Sequence, residues 1–209
     1  PGDALAGLVR PDQVAAGGWS LGGYAAMALA GGDDSACDYA ETDPFGYLDP
    51  PAPPESCVPF DPDSRIKAIV PLDGSNQMLK FAELARVRVP AMGIGEEWSR
   101  LAADGYGLDS WQARQHAAFS SRPAYRADVF GSVHMSFSDV WEAFHLLRDK
   151  GLVDPGYADF LLGMYDGATA PADVRPLVSK YLVSFLTTHL RGEPGYQHVL
   201  TPGWALTRE

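Results

Sequence analysis

Apolar residues in this chain gather into short runs separated by longer polar stretches. Val14–Trp19 is apolar apart from its two glycines, and it lies between Pro11-Asp12 and Ser20. A run without alternation predicts a strand buried on both faces, as in a parallel sheet. Ile66–Leu72, 87–94 and 125–130 are further runs of strand length, each followed by a polar or glycine turn. The stretch 21–30, rich in Ala, Leu and Met, follows the first run at once and meets Gly31 and Gly32, so it predicts a helix with its stop signal. Helices are also expected at 76–85 and 110–120.

Strand and helix therefore alternate, which places the chain in the α/β class with a parallel sheet and crossover helices. The last third is expected to be helical. Its predicted helices are 137–150, ending at Gly151, and 176–190, with Pro176 in the first turn and Gly192 just past the end. One stretch breaks the alternation. Residues 33–64 are dense in prolines and acids and show neither helical nor strand period, so they predict a long ordered excursion, a candidate lid.

Composition narrows the partners. With 209 residues, 46% hydrophobic and 21% charged, the chain reads as one domain over 1–209 rather than a disordered or membrane-spanning chain. No run approaches the roughly 18 apolar residues of a transmembrane helix. A formal net charge of -11 repels phosphate backbones, so no nucleic-acid partner is expected and neutral substrates fit better. Cys37 and Cys57 both fall inside the 33–64 excursion, which predicts a disulfide worth about 3 kcal/mol and a secreted or extracytoplasmic setting.

The chemistry centres on Gly18-Trp19-Ser20-Leu21-Gly22-Gly23, a G-x-S-x-G motif with an apolar strand before it and a helix after it. A serine on a tight strand-to-helix turn needs neighbours without Cβ atoms, so Gly18 and Gly22 are expected at points of close chain approach. The turn would present the Ser20 hydroxyl as a nucleophile and aim the Leu21 N–H at a developing oxyanion. A serine hydroxyl needs a base, and the base needs an acid to orient it. Of the five histidines only His134 sits in a loop just after an apolar strand; His116, His145, His189 and His198 read as packing or surface residues. Two strand ends offer the acid: Asp73 after the second run, and Glu96 or Glu97 after the third. Both placements are open, because reactive groups gather at the carboxyl edge of parallel sheets. Trp19, Trp98, Tyr106 and Trp111 are candidates for an acyl pocket, with Trp19 and Trp98 as the expected substrate contacts.

Gly-Trp-Ser-Leu-Gly-Gly, Leu72-Asp73-Gly74, Gly131-Ser132-Val133-His134 leading into Phe137 and Asp139, and His189-Leu190-Arg191-Gly192 together resemble the platelet-activating-factor acetylhydrolase and dienelactone-hydrolase-like branch of the α/β hydrolases, from about residue 14 to 200. Actinobacterial cutinases and polyester hydrolases are related to this branch. The resemblance implies the C-terminal part of an α/β-hydrolase fold, with Ser20, His134 and Asp73 as the triad. Plasma-type acetylhydrolases draw their acid from the strand end that Asp73 matches, and the cutinases place an Asp where this chain reads Glu96-Glu97-Trp98-Ser99. The earlier strands of such a fold do not precede Ser20 here, so association with a missing N-terminal segment or chain is expected.

The activity this implies is hydrolysis of a small-molecule or lipid ester (short-chain, acetyl-phospholipid-like or polyester-like) through an acyl-enzyme, with no metal and no organic cofactor. Two other readings stand beside it. One is a catalytically silent hydrolase half acting as a binding or assembly module, and the other is a thioesterase or peptidase with the same triad.

Overall fold

The computed structural model describes Gly7 and residues 10–38, 58–74, 79–96, 116–163 and 168–208. Four parallel strands form one sheet in the order β1 (Val14–Trp19), β2 (Ile66–Leu72), β3 (Ala91–Glu96) and β4 (Ala124–Val129). Trp19 pairs with Leu72, Leu72 with Ile94, and Glu96 with Val129, so the carboxyl ends of all four strands share one edge.

Helices cover both faces, as a sheet buried on both sides requires. On one face α1 (Leu21–Gly31) and the single-turn α2 (Phe81–Leu84) pack Met27, Ala28 and Leu84 against Ile66, Ile69 and Ala91, with Val87 and Phe119 closing the cluster. On the other face α5 (Pro171–His189) packs Val174, Tyr181 and Phe185 against Ala68, Val70, Met92, Ile94 and Val129. Ala68 and Val70 face one layer and Ile69 the other, the two-residue period of a strand. Between β4 and α5 run α3 (Val140–Asp149) and α4 (Pro155–Gly163), and α6 (Pro202–Ala205) follows near the C-terminus.

Several elements depart from the sequence reading. The third strand starts at Ala91, not at 87, because Pro90 has no N–H for a ladder, and it runs on to Glu96. Glu96 is therefore the last residue of β3 rather than the first of a loop. The helix expected at 76–85 is only α2 among the described residues. The helix expected at 137–150 divides into a 3₁₀ turn, His134–Phe137, and α3, because the chain straightens into extended backbone at Ser138. The helix expected at 176–190 begins five residues earlier, with Pro171 in its first turn, so Pro176 lies inside it. The helix expected at 110–120 lies mostly outside the described residues, and 116–118 are helical.

Within 33–64, the described residues on either side of 39–57 are joined by backbone bonds. Asp33 and Phe60 form an antiparallel bridge, with Asp33 N–H donating to Phe60 O at 2.7 Å and Phe60 N–H donating back at 3.0 Å. Cys37 is disulfide-bonded; Cys57, the chain's only other cysteine, lies outside the described residues. Beneath the bridge is a buried polar knot. The Ser35 N–H and hydroxyl donate to Glu83 Oε1 and Oε2 at 2.8 and 2.9 Å, and the Tyr24 hydroxyl donates to Asp33. No helix of the described residues is long and apolar enough to cross a membrane.

Candidate functional site

Ser20 sits where β1 turns into α1, with φ 56 and ψ -119, a conformation that L-residues rarely adopt. Its N–H donates to Leu72 O at 3.1 Å, extending the β1–β2 ladder. Its carbonyl already accepts from Gly23 and Tyr24 N–H at 2.9 and 3.3 Å, so the first turn of the helix closes on it. The serine is thus held by the sheet on one side and the helix on the other. The Leu21 and Gly22 N–H groups come before the first of these helical bonds, at the positive end of α1, whose first turn carries no acid.

The glycines do their work at different places from those expected. A Cβ on Gly18 would stand 2.7 Å from the Gly22 backbone, so Gly18 is required, but a Cβ on Gly22 would meet nothing within 4 Å. The second tight contact belongs to Gly23, whose Cβ would lie 2.5 Å from the Gly74 Cα. Gly23 is three residues after Ser20 and Gly74 is one after Asp73. Their approach draws the serine turn and the aspartate turn together.

Asp73 follows β2 directly. Its φ of 43 turns the chain back, while its N–H donates to Ile94 O at 2.6 Å. The carboxylate is buried, with 1% of the side chain exposed. Oδ1 accepts from the Glu96 N–H at 3.2 Å, and Oδ2 lies 2.5 Å from His134 Nδ1. Of the acids that the sequence left open, Asp73 is the one among the described residues whose carboxylate oxygen lies against the imidazole. Glu96 is also buried and close by, with a ligand atom each of Asp73, Glu96 and His134 lying within 4.8 Å of one another. Glu97 and Trp98 lie outside the described residues, as do Tyr106 and Trp111.

His134 opens the 3₁₀ turn after β4 and is half-exposed. The turn before it is braced. Gly131 has φ 69 and its carbonyl accepts from Thr169 N–H at 2.7 Å, and the Ser132 hydroxyl donates to Val129 O at 2.7 Å. Val133 N–H donates to the buried Ser136 hydroxyl at 3.1 Å. Trp19 supplies the last support. Its indole N–H donates to the His134 carbonyl at 2.8 Å, and the two rings stand 4.9 Å apart between centroids at 33°. Trp19, expected as a wall of an acyl pocket, fastens the histidine turn to the end of β1 beside Ser20. The Ser20 hydroxyl makes no hydrogen bond to His134 or to any other described residue.

The other histidines lie apart from this cluster. His116 and His189 have pKa values pushed down, in both cases mainly by burial, and the His189 ring bonds the Tyr125 hydroxyl at 3.0 Å. His145 packs on Trp141 in α3, and His198 lies on an exposed turn near the C-terminus. Neither the anchoring role of Trp19 nor the Gly23–Gly74 contact was singled out from the sequence. The small residue after the motif's last glycine, and the glycine after Asp73, were the available signs.

No family model, curated protein or solved structure matches this chain. The α/β class with a parallel sheet and flanking helices therefore rests on the chain's own geometry.

Proposed function

We propose that this chain is the catalytic part of a serine hydrolase that cleaves neutral carboxylic esters through an acyl-enzyme. Ser20 Oγ attacks the ester carbonyl while His134 Nε2 takes its proton. The carbonyl oxygen becomes negative and is met by the Leu21 N–H at the start of α1. The tetrahedral intermediate collapses, and His134 returns the proton to the departing alcohol. Water then repeats the cycle on the acyl-serine. Asp73 holds the ring through Nδ1–H and stabilises the imidazolium.

The observation that carries this reading is the 2.5 Å contact between Asp73 Oδ2 and His134 Nδ1, on a turn tied by Trp19 to the residue next to Ser20. A buried carboxylate on one imidazole nitrogen fixes the tautomer that leaves the other free as a base. The acidic chain fits uncharged esters, including short-chain, acetyl-phospholipid-like and polyester-like ones, better than anionic substrates.

The test is labelling with a fluorophosphonate probe alongside a chain-length series of p-nitrophenyl esters. Ser20→Ala should lose both labelling and hydrolysis. The second reading, a silent hydrolase-like binding module, is favoured by the unengaged Ser20 hydroxyl. It predicts no labelling of the wild-type chain. Against it, such hydrogen bonds are commonly loose without substrate.

A further inference from the structure

The two carboxylates beside His134 offer more than the ester reading uses. Asp73 ends β2, Glu96 ends β3, and His134 opens the turn after β4, so three separate strand ends deliver ligand-bearing side chains to one place. One oxygen of each carboxylate and a ring nitrogen of His134 all lie within 4.8 Å of one another, and both acids are buried. We propose that Asp73, Glu96 and His134 also bind a borderline divalent transition-metal ion of the Zn²⁺ type, and that this ion switches off the hydrolase.

Charge and ligand type both point to that ion. Two carboxylates and a neutral imidazole balance the charge of a dication. An imidazole beside two carboxylates suits Zn²⁺ better than Mg²⁺ or Ca²⁺, which take oxygen ligands. Ligands about 2.0–2.2 Å from a tetrahedral ion stand roughly 3.3–3.6 Å apart, so Asp73 Oδ2 and His134 Nδ1, now 2.5 Å apart, must separate by about an ångström to admit it. His134 is the group with room to move, since 40% of its side chain is exposed. That open side also leaves a fourth position for water.

The inhibitory consequence rests on the ester-hydrolase reading; the binding does not. When the ion takes the Nδ1 lone pair, the proton on Nδ1 passes to Nε2 and the ring stays neutral. Asp73 exchanges an imidazole N–H for the ion. Nε2 now carries a proton and cannot accept one from Ser20.

Isothermal titration of Zn²⁺ into the EDTA-treated, dialysed full chain tests the site directly. One ion per chain is expected, with affinity at least about tenfold lower in Glu96→Gln and in Asp73→Asn, each checked for its fold by circular dichroism. In parallel, Zn²⁺ should slow hydrolysis of p-nitrophenyl acetate and EDTA should restore it, while Mg²⁺ at the same concentration leaves the rate unchanged. The Zn²⁺ concentration for half-inhibition should rise about tenfold in Glu96→Gln, measured against that variant's own metal-free rate. Absent binding, or binding unchanged in both variants, overturns the metal site and leaves the Ser20 reading intact. Stoichiometric binding without loss of rate in an active enzyme overturns the switch. An enzyme that hydrolyses only when metal is bound overturns the Ser20 reading.

Discussion

Trp19 and His134, 115 residues apart in the chain, are joined by an indole N–H donating to a backbone carbonyl at 2.8 Å. The bond ties the base of the proposed reaction to the strand that carries the nucleophile. Trp19→Phe keeps a ring against His134 but removes the donor. It should cost about 1 kcal/mol in urea unfolding and lower kcat by about tenfold, with KM changed much less, because it disturbs alignment rather than binding. An unchanged kcat would mean that the histidine turn is held well enough without the tryptophan.

Ser20 holds its φ of 56 against local preference. Ser20→Gly should raise the unfolding free energy by about 1 kcal/mol, by relieving that conformation, and should abolish ester hydrolysis. Urea midpoints and initial rates on the same preparation check both halves.

The motif glycines should separate under substitution. Gly23→Ala, and likewise Gly18→Ala, forces a methyl group into backbone and should destabilise the chain by about 2 kcal/mol or more. Gly22→Ala has open space and a helical position, so it should leave stability unchanged or raise it by up to about 1 kcal/mol. Thermal melts of the three variants give the comparison. Equal losses at all three positions would contradict the packing described.

Ser35→Ala tests the polar knot under the excursion. It removes the hydroxyl that reaches Glu83 Oε2, a buried carboxylate oxygen that then keeps the Lys80 N–H as its donor. A loss of about 1–3 kcal/mol is expected in chemical denaturation. Ser35→Thr, which keeps a hydroxyl, should lose less.

Acid should weaken the fold through its partly buried histidines. Burial lowers the folded-state pKa of His189 below its ordinary 6.5, so the unfolded chain binds the proton more readily. The stability this histidine contributes is present above pH 6.5 and is lost as pH falls from there through the folded value. His116 acts with the same sign. His189→Phe keeps a ring between Tyr125 and Phe185 and removes the titration. The fall in urea midpoint between pH 7.5 and 5 should therefore be smaller in this variant than in the wild type.

Much of the fold was legible because parallel strands covered on both faces write themselves as largely apolar runs. Val14–Trp19 and Ile66–Leu72 were bounded from the sequence alone, and the strand expected at 125–130 lies at Ala124–Val129. Errors collected where one residue type serves two purposes. Val87 and Val89 look like strand but belong to the turn before Pro90, and Pro176 looks like a helix start yet lies inside α5. Ser20, Asp73 and His134 were readable as three strand-end residues, and the Asp73–His134 contact is a matter of distance that only coordinates supply. Whether Asp73 or Glu96 faces the ring depends on side-chain reach across neighbouring strands. Sequence spacing carries no record of that.

The bridge between Asp33 and Phe60 makes the stretch beyond Asp38 a natural graft point, because Ser35 and Asp38 keep their bonds to Glu83 and Lys80. Because the chain departs and returns at adjacent backbone positions, a short turn could span the gap without disturbing the register of β1 with β2. Replacement loops of different length or polarity could then be exchanged there while the strand ends that carry Ser20 and Asp73 keep their spacing.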